Sequence, residues 1–96
     1  MAKIIIQPQT ADNLKNLIRS AVENQLSVIS FGIAKTKKKL EELERESGMD
    51  SEDFYEKYLK GNMGDDLKYI RWAGEYETLA QLQKDYNELY GLELCS

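Results

Sequence analysis

Apolar side chains recur at steps of three and four residues through the first half of the chain. The recurrence runs from Leu14 to Leu43 and meets no proline and a single glycine, Gly32. This spacing places the apolar side chains along one face of an α-helix. It predicts a long helix over residues 10–47, about 35 residues and roughly 50 Å in length. Such a helix needs a second long helix against its apolar face, either in this chain or in another copy.

A second, shorter helix is predicted over residues 50–60. Gly48 suits the left-handed position that ends a helix, and Asp50 or Ser51 can cap the next one. Acidic side chains then follow in the first turn, where they face the positive end of the helix dipole. The chain is therefore expected to turn between its first two helices.

A third helix is predicted over residues 65–91, after a loop at residues 61–64. Asp65 or Asp66 can cap its start, and Gly91 is expected to end it. Its apolar positions are again three or four residues apart, which predicts a buried face. The residues expected on that face are Ile70, Ala73, Leu79, Leu82, Tyr86 and Leu89.

The segment at residues 1–9 has a different character. Ile4, Ile5 and Ile6 are consecutive β-branched residues and precede Pro8, the only proline. This run favours a short strand, which would pair with a copy or a partner; an extended arm packed on the helices is an equal alternative. We expect one mainly α domain, an antiparallel helical bundle over residues 1–96 that forms a dimer. The dimer contacts are assigned to Ile4, Ile5, Ile6, Leu26, Ile29 and Ile33.

Charge divides the chain into two unlike halves. Residues 1–40 carry seven basic and two acidic groups, a net charge of +5, whereas residues 41–96 carry six basic and fifteen acidic groups, a net charge of −9. An asymmetry of this size concerns the partners of a protein more than its fold. A partner of the second half is expected to be basic.

Several classes of chemistry lack the residues they need. The chain has no histidine and a single cysteine, Cys95, so histidine-dependent nucleophile pairs and most zinc sites are excluded. Asp65 and Asp66 could contribute to a cation site, but they fit better as a helix cap. No apolar stretch is long enough for a signal peptide or a membrane span. We expect a cytoplasmic protein without enzymatic activity, metal or cofactor, and with no membrane partner.

A basic cluster near the end of the first helix suggests contact with phosphate groups. Its residues are the nucleic-acid candidates Lys35, Lys37, Lys38 and Lys39. Four glutamates follow directly, and the pairs four residues apart can form salt bridges along the helix. No aromatic residues interleave with the lysines, so a solvated helix face is the more common interpretation.

Aromatic residues are concentrated after residue 53. Core packing accounts for most of them, but tyrosine and tryptophan are also favoured in protein interfaces. Tyr55, Tyr69 and Tyr90 lie off the predicted buried faces, which suggests an exposed aromatic and acidic surface. The partner-binding candidates are Tyr55, Tyr69, Trp72, Tyr76 and Tyr90.

The second half also resembles a family of small prokaryotic helical proteins. The resemblance rests on the stretch LEELERESGMDSEDFY at residues 40–55, on the turn with Gly61 and GDD at residues 64–66, and on WAGEYE at residues 72–77. Family members usually have Lys-Tyr where this chain has Glu46-Ser47. Several members resemble antitoxins of type II toxin–antitoxin pairs.

The resemblance implies a protein that binds and neutralises a partner. An acidic second half could cover the basic groove of an RNA-cleaving toxin, so an antitoxin-like binding module is the first hypothesis. A DNA- or RNA-binding regulator acting through the basic half is the alternative, and a structural dimer is a further one. A ribbon-helix-helix fold is disfavoured, because no glycine or proline divides the first helix between Thr10 and Phe31.

Overall fold

The computed structural model describes the backbone of residues 8–95 and the side chains of residues 12–92. It contains three α-helices, α1 (Pro8–Ser47), α2 (Ser51–Leu59) and α3 (Leu67–Cys95). No strand occurs in this part of the chain. The predicted mainly helical fold is confirmed, whereas the strand predicted at Ile4, Ile5 and Ile6 lies outside the described residues.

The helix ends follow the local chemistry with one exception. Proline is favoured in the first helical turn, because its fixed φ suits the helix and its missing N–H needs no partner there. Accordingly α1 begins at Pro8, two residues before the predicted start, so residues 8 and 9 belong to the helix and not to the predicted strand or arm. The exception is Gly91, which was expected to end α3 but lies within it, since the helix continues to Cys95. A glycine weakens a helix interior by about 1 kcal/mol without necessarily ending the helix. Here Gly91 lacks the positive φ of a terminating glycine.

The turn from α1 to α2 is closed by Gly48 and Glu44. Gly48 has a φ of 64°, and its N–H donates to the Glu44 carbonyl at 2.8 Å, as expected for a left-handed helix end. Asp50 occupies the N-cap position of α2 but makes no side-chain capping bond. The Glu44 carboxylate accepts the Ser51 N–H at 2.7 Å instead. A residue of α1 therefore caps α2, which fixes the angle between the two helices.

The start of α3 uses the cap that the sequence predicts. The Asp66 carboxylate accepts the N–H of Lys68 at 3.0 Å, which satisfies one of the free donors of the first turn. The preceding loop contains Gly61 and Gly64, whose φ angles are 76° and 82°. Positive φ is readily adopted by glycine alone. These two glycines therefore allow the chain to reverse between α2 and α3.

α1 and α3 form a long antiparallel hairpin. Gly32 lies opposite Leu82, whose methyl carbon would be 3.4 Å from an added Cβ, and Lys39 lies opposite Glu75 at 3.4 Å. Each step forward along α1 is thus matched by a step back along α3. At this register the end of α3 lies level with Arg19, and residues 8–18 of α1 extend beyond it. Gly32 is therefore a point of close approach between α1 and α3.

The core between the helices is uneven. We call residues 36–79 the closed end of the hairpin, and residues 12–35 with residues 80–92 the open end. The closed end contains a contiguous core, whose fully or nearly buried members are Leu40, Phe54, Trp72 and Ala73. The open end has only Leu26 and Ile29 as buried apolar side chains among its described residues. Within residues 8–95, no helix has the length and apolar character needed to cross a bilayer.

Candidate partner-binding surface

The centre of the closed end is a stacked aromatic pair. The rings of Phe54 and Trp72 are parallel to within 2° and their centroids are 3.9 Å apart. The indole N–H of Trp72 donates to the Ser51 hydroxyl at 2.9 Å. Both rings are fully buried, at 0% exposure. Trp72 therefore anchors α3 to α2 from within the core. It presents no surface to a partner, although the sequence suggested it as a partner-binding residue.

Half-buried tyrosines surround this pair. Tyr69 lies 5.8 Å from the Phe54 ring, and Tyr76 lies 4.9 Å from the ring of Tyr55. These three tyrosines were predicted to bind a partner, and the structure gathers them around the α2–α3 contact. Their rings are partly exposed, so they can support a binding surface while contributing to the core.

Tyr55 is held by a specific hydrogen bond. Its hydroxyl donates to the Glu77 carboxylate at 2.8 Å. This bond, followed by desolvation and the negative charge of Glu77, raises the pKa of Tyr55 above its ordinary value of 10.0. The bond links α2 to the third turn of α3, and it orients the tyrosine ring at the surface.

Tyr90 is separate from the other candidates. It is 46% exposed and stacks on Tyr86 at 6.1 Å. It follows Tyr76 by fourteen helical positions, which corresponds to about 21 Å along α3. The five predicted partner-binding residues therefore do not form one surface, since three cluster at the closed end, Trp72 is inside the core, and Tyr90 lies near the other end of α3.

Three exposed apolar side chains near the aromatic cluster were not predicted from the sequence. Leu59 at the end of α2 is 67% exposed, and Leu67 and Ile70 in the first turn of α3 are 57% and 50% exposed. Ile70 was expected on the buried face, but the core-facing positions here are those of Tyr69, Trp72 and Tyr76. The missed signal is a second stripe with three- and four-residue steps, formed by residues 67, 70 and 74.

Gly74 continues this stripe and has no internal role. An added Cβ would meet no atom within 4 Å, and φ is not positive. Glycine in a helix interior costs about 1 kcal/mol relative to alanine, so the residue weakens α3 without a benefit inside the chain. We call Leu59, Leu67, Ile70 and Gly74 the loop-end surface.

Acidic residues are abundant around the loop-end surface. Residues 50–77 contain eight acidic and four basic side chains, a net charge of −4. Asp65 and Asp66 directly precede Leu67, and Glu77 lies three residues after Gly74 on the same side of α3. The exposed apolar side chains thus lie in a segment of net negative charge, in which Lys60, Lys68 and Arg71 directly follow Leu59, Leu67 and Ile70.

The acidic residues do not gather into a cation site. In the part of the chain that the structure describes, no group of three or more acidic or cysteine side chains is placed to hold a metal ion. Asp66 is engaged in capping α3 through its carboxylate. The arrangement therefore offers charge to a partner and no preformed coordination shell.

The four candidate lysines remain on the surface of α1. Lys35, Lys37, Lys38 and Lys39 are all exposed, but successive helical residues are 100° apart, so the four are spread over more than half of the helix circumference. Lys39 is paired with Glu75 at 3.4 Å. The lysines therefore do not present a single basic face.

The residues assigned to a dimer contact are used within the chain where the structure describes them. Leu26 and Ile29 are buried, at 7% and 6% exposure, and Ile33 is half-buried. They lie on the α1 face that packs against α3, so the second long helix required by this face is in the same chain. A dimer contact on α1 needs a different face.

Comparison with known proteins adds no relative: no protein-family model, curated protein or solved structure matches the chain. The resemblance to antitoxins stays a prediction from the motif at residues 40–77.

Proposed function

We propose that this chain is a non-enzymatic, cytoplasmic binding protein of antitoxin type, and that its loop-end surface binds a basic protein partner. The observation that carries the proposal is the exposure of Leu59, Leu67 and Ile70, at 67%, 57% and 50%, around one loop. Contiguous exposed apolar side chains bordered by polar residues are typical of protein-binding surfaces. The partner class is the one suggested by the sequence, whereas the main contact lies at Leu59, Leu67 and Ile70, which the sequence did not indicate.

Charge favours a basic protein over nucleic acid at this surface. Residues 50–77 carry a net charge of −4, which would repel phosphate and attract lysine and arginine side chains. Complementary charge around an apolar centre increases the association rate and selects among partners. A toxin with a basic RNA-binding groove is one protein of this kind.

Gly74 gives the proposed contact a specific geometry. A glycine on an exposed helix face, without steric need inside the chain, permits another backbone or side chain to approach the helix closely. It lies on the same side of α3 as Leu67 and Ile70. The proposal therefore expects a partner element to cross α3 at Gly74.

Binding can be tested with the product of the adjacent reading frame. Under the proposal, that product arrests growth when expressed alone, growth is restored by coexpression of the full chain, and the two proteins copurify. A neighbour that is neither toxic nor bound would contradict the antitoxin proposal. The surface itself is tested by Leu67→Asp, which should weaken the complex at least tenfold, or about 1.4 kcal/mol.

The chain offers a matched control for this variant. Leu92 is also 57% exposed and lies at the opposite end of α3, so Leu92→Asp should leave the affinity unchanged. Gly74→Ala provides a second test, because it should stabilise the free chain while weakening the complex. Equal effects of the Leu67 and Leu92 variants would place the contact elsewhere.

The nucleic-acid alternative is favoured by the exposure of Lys35, Lys37 and Lys38 in the basic half. A gel shift with duplex DNA and with RNA at several salt concentrations separates it from the first proposal. Binding that depends on these lysines would weaken steeply as salt increases. No shift at low salt would remove this alternative.

A further inference from the structure

α1 has a second apolar stripe. It is displaced around the helix axis by at least about a third of the circumference from the face that packs on α3. We call it the second seam. Leu17, Val28 and Phe31 are exposed by 59%, 56% and 74%. The positions follow alternating steps of three and four residues, the spacing that lets two helices supercoil around each other. The seam consists of Leu14, Leu17, Ala21, Asn24, Val28 and Phe31.

The surface around the second seam is almost free of charge. Glu23 is the single charged residue between positions 20 and 34, although 31% of the whole chain is charged. The positions directly beside the seam hold asparagine, serine, alanine, isoleucine, glutamine and glycine. A helix face that stays in water is normally rich in charged residues. The composition is therefore that of a face covered by another helix.

The hairpin is also more open than a compact monomer of its size. It exposes 7553 Å², whereas a monomer of 11.1 kDa typically exposes about 5,700 Å². Its radius of gyration is 19.6 Å, against about 12.5 Å for a compact domain of this length. The excess area is larger than the roughly 800 Å² that each partner buries in a stable interface.

From these observations we infer that the second seam binds the second seam of another copy of this chain, with the two α1 helices antiparallel. Neither the basic partner proposed above nor nucleic acid fits the seam, because the seam offers neither acidic nor basic groups. A second copy does fit. In the antiparallel alignment Leu14 packs beside the partner copy's Phe31, Leu17 beside its Val28, and Ala21 beside its Asn24.

Two features select the antiparallel orientation. Lys35 and Lys38 continue the seam beyond Phe31. A parallel pair would place each lysine against the same lysine of the other copy. An antiparallel pair places the two lysines of one copy and those of the other at opposite ends. Asn24 lies near the two-fold axis, and the two copies of its amide are then about 4.5 Å apart along the helices. Each amide can donate to and accept from the other, which fixes the register.

Association is tested first by sedimentation equilibrium of the full chain. Wild type should have twice the monomer mass of 11.1 kDa. The double variant Val28→Glu with Phe31→Glu should raise the dissociation constant at least 100-fold. A matched control, Asn16→Glu with Ser30→Glu, adds two charges at exposed positions on another side of α1 and should remain dimeric. Emission from the buried Trp72 reports whether each variant keeps the closed end folded.

Two further measurements test the seam without disrupting the fold. Asn24 is exposed in the single chain, so Asn24→Leu should tighten association at least tenfold by replacing a polar seam position with an apolar one. Orientation is measured by a spin label at Asn13→Cys in a Cys95→Ser background. The antiparallel pair should give a label separation of about 30 Å, since residue 13 lies level with residue 32 of the partner copy; a parallel pair would bring the labels together.

A wild type that is monomeric at about 100 μM would overturn the inference, because interfaces that bury about 800 Å² on each partner have dissociation constants in the micromolar range or below. So would equal dissociation of the seam variant and its control, or a wild type that remains monomeric and instead binds phospholipid vesicles. The seam variant retains the loop-end surface, so loss of the dimer with intact partner binding separates this inference from the proposed function.

Discussion

The closed and open ends of the hairpin use the same two long helices in different ways. At the closed end, α2 covers the helices and buries Phe54 and Trp72 completely, with Ser51 hydrogen-bonded to the indole. At the open end no third helix is present among the described residues, and Phe31 is 74% exposed. A two-helix contact buries one face of each helix only. The comparison indicates that the closed end stabilises the single chain, whereas the open end has apolar surface for association.

The largest expected effect contrasts two phenylalanines, one at each end. Phe54→Ala removes a ring with 0% exposure from the core and should destabilise the chain by about 3–5 kcal/mol. Phe31→Ala should change the stability of the monomer by less than about 0.5 kcal/mol. Urea denaturation at low protein concentration, where the chain is monomeric, measures both. Similar losses for the two variants would show that the open end is packed as tightly as the closed end.

A smaller effect is expected from the hydrogen bond at the closed end. Ser51→Ala leaves the buried Trp72 N–H without its acceptor, which should cost about 1–3 kcal/mol. The exposed Ser30 at the open end is the control, and Ser30→Ala should stay within about 0.5 kcal/mol of wild type. Thermal unfolding followed by tryptophan fluorescence compares them. A neutral Ser51→Ala would mean that the indole finds another partner.

Substituting two glycines by alanine should change the free energy of unfolding in opposite directions. Gly48 has a φ of 64°, so Gly48→Ala should lower the unfolding free energy by about 1 kcal/mol. Gly74 lies in open space within α3, and Gly74→Ala should raise it by about 0.5–1 kcal/mol. Chemical denaturation gives both values. A destabilising Gly74→Ala in the free chain would remove the argument that this glycine serves a partner.

The smallest effect concerns proton binding by Tyr55. Its pKa is raised by the hydrogen bond to Glu77, so the native state keeps a proton that the unfolded chain releases above pH 10. The resulting stabilisation is present below pH 10 and is lost as the pH rises through the higher native pKa. Glu77→Gln should lower the pKa of Tyr55 towards its ordinary value. A titration followed by the NMR signal of the Tyr55 ring checks this, and an unchanged pKa would show that the bond to Glu77 is absent in solution.

The sequence predicted the elements because their signals are local. The three- and four-residue spacing over α1 specifies a helix irrespective of what covers it, and Gly48 marks its end because a positive φ suits glycine. Asp66 was predicted as a cap because an aspartate before a helical pattern is also a local signal. The prediction that Gly91 ends α3 is wrong. A glycine ends a helix only where the residues after it adopt a non-helical conformation, and here the helix continues to Cys95.

The candidate sites were less predictable, because exposure depends on where other helices pack. Trp72 and Ile70 both fit a helical apolar pattern, yet one is fully buried and the other is 50% exposed. Likewise α1 carries two apolar faces in its first half, and spacing alone cannot tell which one faces α3. The dimer contact was predicted to include Leu26 and Ile29, which the structure buries within the single chain.

The sequence by itself therefore determined that the chain is helical, where α1 ends, and how charge divides between its halves. Only the tertiary structure decided which apolar residues form the core and which remain as surface. The physical reason is that hydrogen bonding and backbone preference act over a few residues, whereas burial depends on contacts between segments distant in sequence, such as α2 closing over Trp72 and α3 ending level with Arg19. The exposed Leu67, Ile70, Val28 and Phe31 are the apolar residues that those contacts leave uncovered.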